Sequence, residues 1–142
     1  MFHIWTLIPA LYVLFRFIRP LPVPLSAKII GATVLLVASE FHLITKLFTG
    51  NMFSPEIPKP LLLLTTWLFG MTVFMAVLLV LRDIFWVLHR LVSGRRMQWH
   101  SAFWFILPVL AAILTTLALK NGTAVPEVKK TDVALRGLPP PF

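Results

Sequence analysis

The sequence predicts an all-α integral membrane protein: a four-helix up-down bundle followed by a short extended C-terminal tail. Three observations lead there. Of 142 residues, 58% are apolar and 13% charged, against about 45–50% and about 25% in soluble domains. Mean hydropathy is +0.89, more apolar surface than a small water-soluble domain can hide, while disorder requires the opposite composition. The apolar residues fall into four runs of helical length, and prolines and basic residues gather between them.

Residues 2–17 form the first run. No basic segment precedes it and no small-residue cleavage site follows, so it reads as a retained helix rather than a signal peptide. At about 1.5 Å per residue it is slightly short for a hydrocarbon core of about 30 Å, and Arg16 can snorkel to the headgroups. Arg19 to Pro24 has prolines at alternate positions, which forbid helix. The second run, residues 27–48, is interrupted by Glu40 and His42 and bracketed by Lys28 and Lys46. Gly50 to Pro60 is a proline-rich connection. The third run, 60–81, holds no ionisable group and is a full span by itself. Pro60 suits a first helical turn, and Gly70 at mid-span permits close helix approach. The helical pattern continues past the run, with Arg82, Trp86, His89, Arg90 and Ser93 on one stripe, so Arg82 and Trp86 belong at the headgroups. Ser93-Gly94-Arg95-Arg96 is a basic turn. The fourth run, 101–119, contains Pro108, tolerable if neighbours and threonines satisfy the freed backbone.

Residues 1–120 therefore form a membrane domain, and 121–142 a polar, proline-rich segment with a strand-like stretch at Val128–Leu135. Asn121-Gly122-Thr123 matches a glycosylation sequon. Seven basic residues (Arg16, Arg19, Lys28, Arg82, Arg90, Arg95 and Arg96) flank the first-to-second and third-to-fourth connections. Three (Lys46, Lys59 and Lys120) flank the other side. The positive-inside rule then puts both termini outside the cytoplasm. A net charge of +8 arranged this way reflects membrane orientation, so nucleic acid is not an expected partner. Cysteine is absent, which excludes disulfides, thiolate metal sites and a cysteine nucleophile.

Glu40 is the one acid well inside a run, and an intramembrane carboxylate is costly enough to be a functional candidate. Three readings stay open: a proton or cation site, a pairing with Arg or Lys, or an early end of the helix near Ser39 that leaves Glu40, His42 and Lys46 in a wet turn. His42, two residues on, points to another helix face and cannot share a small ligand with Glu40. His3, His42, His89 and His100 lack ligand spacing, so no metal or other cofactor is expected in this chain. Asp83, beside Arg82, offsets basic charge at the membrane edge.

Gly50-Asn51-Met52-Phe53-Ser54-Pro55-Glu56-Ile57-Pro58, the Leu-rich span with Trp67-Leu68-Phe69-Gly70, and Leu81-Arg82-Asp83 together carry a resemblance. So do Val125-Pro126-Glu127-Val128-Lys129-Lys130 and Val133-Ala134-Leu135-Arg136-Gly137-Leu138-Pro139-Pro140. The chain resembles the membrane module of bacterial calcineurin-like metallophosphoesterases, with the tail similar to the strand leading into their catalytic domain. The resemblance implies a phosphoester hydrolase whose two divalent metal ions clamp the attacking and leaving oxygens. It transfers no ligand. Asp83 precedes Ile84-Phe85, Asp132 precedes Val133-Ala134, Gly50-Asn51 precedes Met52, and no Gly-His pair exists. The implied function is a membrane anchor, the membrane half of such an enzyme, holding its C-terminal catalytic domain at the outer face of the bacterial cytoplasmic membrane. No phosphoesterase activity is expected of these 142 residues alone. The alternatives are a small transporter or channel using Glu40, its pathway assembled from several copies, and a structural membrane protein without a ligand.

Overall fold

The computed structural model describes residues 2–50, 57–94 and 103–124. They are all helical apart from turns: α1 (Phe2–Val13), extended by a π-helical turn (Leu14–Ile18), α2 (Leu25–Ser39), α3 (Phe41–Thr49), α4 (Lys59–Ser93) and α5 (Phe103–Thr123). The strand-like stretch 128–135, most of the proline-rich connection after Gly50, the Arg95-Arg96 part of the basic turn, and the rest of the tail lie outside the described residues.

The helix ends follow the sequence punctuation. Pro24 is extended (φ −60°, ψ 155°) and its carbonyl accepts the Lys28 N–H in the first turn of α2. Lys28 Nζ donates back to the Arg19 carbonyl at 2.9 Å, closing the proline turn. Pro58 precedes α4, and Pro60 sits in its first turn, where a missing N–H costs nothing. Gly50 (φ 71°) ends α3 and Gly94 (φ 65°) ends α4, both left-handed positions where a Cβ is penalised. α5 runs past the expected boundary and takes the Asn121-Gly122-Thr123 sequon into its last turn.

α4 is the hub, packing against α1, α2 and α5. Its buried residues Thr72, Met75, Ala76 and Leu79 recur at helical spacing. Facing them are Ala10 and Val13 of α1, Leu35 of α2, and Leu107 and Ala111 of α5. Small residues let the backbones approach, as in membrane bundles. Gly70 is the tightest point: a Cβ there would lie 2.9 Å from Thr115 Cγ2. The close approach expected at Gly70 is thus the α4–α5 contact. Beside it, the Trp67 indole donates to Thr116 Oγ1 at 3.0 Å. Four buried hydroxyls serve their own helices: Ser39 donates to Leu36 O, Thr45 to His42 O, Thr72 to Leu68 O and Thr115 to Ala111 O. The freed carbonyl below Pro108 is that of Trp104; Thr115 and Thr116 bond Ala111 and Ala112 instead.

The outer faces are apolar. Phe48, Leu91, Val92 and Phe105 are each at least three-quarters exposed, a pattern that suits lipid and not water. α4 and α5 are long and apolar enough to cross a membrane, and α2 with α3 makes a third span if the bent pair is counted as one. The protein is therefore all-helical with two or three candidate membrane spans. One expectation needs correction. The run 27–48 is no straight span: the chain breaks at Glu40 and α3 leaves α2 at 60°. The first run is a shorter apolar helix than the others, as its sequence length implies, and its π turn shortens it further, since each residue there advances the axis less than in an α-helix.

Candidate functional site

Two polar groupings interrupt the apolar bundle. The first is the α2–α3 break. Ser39 is fully buried and its hydroxyl returns to the Leu36 carbonyl, a competition with the helix ladder that bends helices. Glu40 then adopts φ −96°, ψ 13°, and its carbonyl accepts from both Leu43 and Ile44 N–H to start α3. The helix does stop at Ser39, but a second helix follows in place of a turn. The Glu40 carboxylate reaches toward α1, where the buried Thr6 hydroxyl approaches Oε1 at a long 3.5 Å. His42 instead sets its ring edge-on to Phe69 of α4, centroids 5.4 Å apart. The two candidates therefore serve different helices, as their spacing requires.

The second grouping lies at the opposite end of α1 and was not recognised from the sequence as a cluster. Asp83 sits one turn beyond Leu79 on the inward stripe of α4, so its carboxylate faces the bundle. Oδ2 accepts the Tyr12 hydroxyl at 2.6 Å and Arg16 Nε at 2.7 Å, and Arg16 Nη2 lies at 2.6 Å. Oδ1 accepts Arg82 Nε at 3.0 Å and Nη2 at 2.8 Å. Each guanidinium thus brings two nitrogens to a single carboxylate oxygen, Arg16 to Oδ2 and Arg82 to Oδ1, in charge-assisted bonds stronger than neutral ones. Asp83 and Arg82 are mostly buried, while Arg16 is half exposed. Arg16 lies on the π turn, closed by Arg19 N–H to Leu14 O at 2.9 Å; such turns are common at functional sites. The sequence does hold a signal: Tyr12 and Arg16 are four apart, hence on one face at the end of an apolar run.

Above Asp83 is a recess of about 320 Å³, bordered by Arg16, Pro20, Arg82, Asp83, Trp86, Trp104 and Leu107. Trp104 packs on Phe17 with centroids 5.7 Å apart, and Arg90 stacks over Trp86 at 5.5 Å. The expected stripe Arg82, Trp86, His89, Arg90, Ser93 is continuous, and the Ser93 hydroxyl lies 3.1 Å from His89 Nδ1. Among the described residues no group of three His, Asp or Glu could hold a metal ion. The His3 side chain, Trp99, His100, Glu56, Glu127 and Asp132 lie outside the described residues.

No family model matches the sequence, and no curated protein or solved structure matches it. The fold and its polar groupings therefore define the class: an all-helical protein with two or three candidate membrane spans and an ion-paired tie between α1 and α4.

Proposed function

We propose that the chain is a membrane anchor module that holds a C-terminal phosphoesterase domain at the outer face of a bacterial cytoplasmic membrane. Four membrane helices run up and down, and both termini lie outside. The observation that carries the anchoring role is the Tyr12–Arg16–Asp83–Arg82 tie, which supports a fixed scaffold by fastening α1 to the hub helix through charge-assisted bonds. The catalytic half of the proposal rests on the sequence resemblance alone, and its two divalent metal ions belong to that domain.

The test is a paired assay, one arm on cells that express a fusion and one on the purified chain in vesicles. A phosphatase reporter fused after Phe142 should remain with the membrane after alkaline carbonate washing and be active on intact cells. The chain alone should hydrolyse no generic phosphodiester with divalent metal; hydrolysis above a protein-free blank refutes the anchor-only role.

One observation favours a second reading, a proton- or cation-coupled transporter assembled from several copies. Glu40 sits where a helix breaks by 60° within the bundle, and broken membrane helices with carboxylates build transport sites. Glu40→Gln should then abolish proton flux in vesicles. Under the anchor reading it leaves insertion intact and no flux to lose.

A further inference from the structure

We propose that the recess between Arg16, Arg82, Trp86 and Trp104 binds a phosphate monoanion, carried by the headgroup of an anionic phospholipid. The inference needs the chain to be a membrane protein but does not depend on the anchoring role.

Charge and hydrogen-bond capacity argue first. The cluster holds two guanidiniums and one carboxylate, so one positive charge is left over. An ionised carboxylate offers about four lone-pair sites. Asp83 already accepts from Tyr12, from Arg16 through Nε and Nη2, and from Arg82 through Nε and Nη2. It is saturated. Each guanidinium carries five N–H groups, of which Asp83 engages two, so both arginines keep donors for a second acceptor. A phosphodiester supplies one negative charge and two unshared oxygens, the planar-fork match that guanidinium favours.

Position argues second. Asp83 and Arg82 are 20% and 15% exposed, so the surplus charge lies where water screens it poorly and a counter-anion gains more. The recess holds about 320 Å³, about ten times the ~30 Å³ share of one water. Its floor is the buried Leu107, and its walls are two tryptophans, the side chains that sit at headgroup level.

The surroundings argue for lipid over soluble phosphate. Leu81 on α4 and Val109 and Ile113 on α5 are at least half exposed and follow the recess-lining residues toward mid-span. A headgroup in the recess would lay its acyl chains along these faces. Basic recesses between membrane helices are a known mode of anionic-lipid recognition.

The experiment reads tryptophan quenching in phosphatidylcholine vesicles by brominated phosphatidylglycerol or brominated phosphatidylcholine, which gives the relative association of the two lipids. The whole chain should prefer phosphatidylglycerol, whose net charge complements the cluster. Any arginine near a membrane surface is worth about 1 kcal/mol, or about fivefold, and a hydrogen bond to a charged group adds at least about 1.5 kcal/mol, or about tenfold. Arg16→Gln, at a half-exposed side chain, should therefore cut the preference well beyond fivefold, and Arg16→Lys, which keeps the charge and loses the planar fork, should fall in between. Arg82→Gln should act as Arg16→Gln does, with helicity checked by circular dichroism. Arg19→Gln, an exposed change of equal charge outside the recess, should lose no more than the general fivefold. A preference that survives saturating inorganic phosphate assigns the site to lipid. One erased by it overturns the lipid assignment in favour of free phosphate. Equal quenching by both lipids, or an equal loss in Arg19→Gln and Arg16→Gln, overturns the proposal.

Discussion

Asp83 shows how much one side chain can carry when burial places it among the right partners. From the sequence it is an acid beside Arg82 that trims the basic charge of one side, and that role stands. Its four-part cluster was not visible, because Tyr12 and Arg16 lie about seventy residues away and no local pattern states which helices meet. Asp83→Asn keeps the shape but removes the charge, leaving two guanidiniums without a counter-ion, one of them mostly buried. Hydrogen bonds to charged groups are worth about 1.5–3 kcal/mol, and the exposed Arg16 will be partly rescued by water. The expected loss is about 2 kcal/mol, read as a lower midpoint in thermal unfolding in detergent. Tyr12→Phe removes one hydroxyl donor and should cost about 1 kcal/mol. A midpoint for Asp83→Asn equal to wild type would mean that the tie adds nothing to stability. Glu40 and His42 were legible as separate candidates, since their separation on different faces follows from helical geometry; that Glu40 faces Thr6 did not follow.

At the scale of elements, the sequence revealed what punctuation controls and missed what side chains negotiate locally. Prolines and glycines marked the starts of α2 and α4 and the ends of α3 and α4. The end of α2 at Ser39 was one of the readings that Glu40 and His42 left open, but the bend into a second helix and the π turn at Leu14–Ile18 carry no such mark. The bend arises where the buried Ser39 bonds back to its own helix beside a carboxylate, the π turn around Arg16 at the end of an apolar run. Gly70 was legible because a glycine amid leucines has few uses other than close approach. Its consequence can be tested. Gly70→Ala gains about 1 kcal/mol of helix propensity, but its Cβ would meet Thr115 Cγ2 at 2.9 Å. Thr115 cannot easily turn away, being β-branched, buried and bonded to the Ala111 carbonyl at 2.8 Å. Overpacking costs about 1–3 kcal/mol, so Gly70→Ala should lower the unfolding midpoint by a net ~1 kcal/mol. Adding Thr115→Ser removes the offending methyl and keeps the hydroxyl, so the double variant should regain or exceed wild-type stability. A Gly70→Ala variant more stable than wild type would show that α4 and α5 separate without cost.

For the whole molecule, the apolar exterior and the small-residue core are one solution to one constraint: in lipid, helices gain little by hiding leucine and much by approaching closely. Composition and run length made the helical membrane class legible, whereas the number of full spans was not, because length alone does not reveal a bend or a π turn. The proposed orientation belongs to the whole chain, since it comes from charge summed over connections. Arg16, Arg19, Lys28, Arg82 and Arg90 are grouped by the fold as well: Arg16 and Arg82 share one carboxylate, Lys28 closes the turn at Arg19, and Arg90 lies on Trp86 one turn from Arg82. Lys46, Lys59 and Lys120 lie at the far ends of their helices. The chain has no cysteine, so Ser93→Cys and Ser54→Cys each install a single thiol, one beside the basic grouping and one in the opposite connection. On intact cells an impermeant thiol reagent should label Ser54→Cys and spare Ser93→Cys until the membrane is opened. Moving a basic cluster across a membrane is what the positive-inside rule opposes, so a chain that labels in the reverse sense would have its termini in the cytoplasm, and an outward-facing catalytic domain could not follow Phe142.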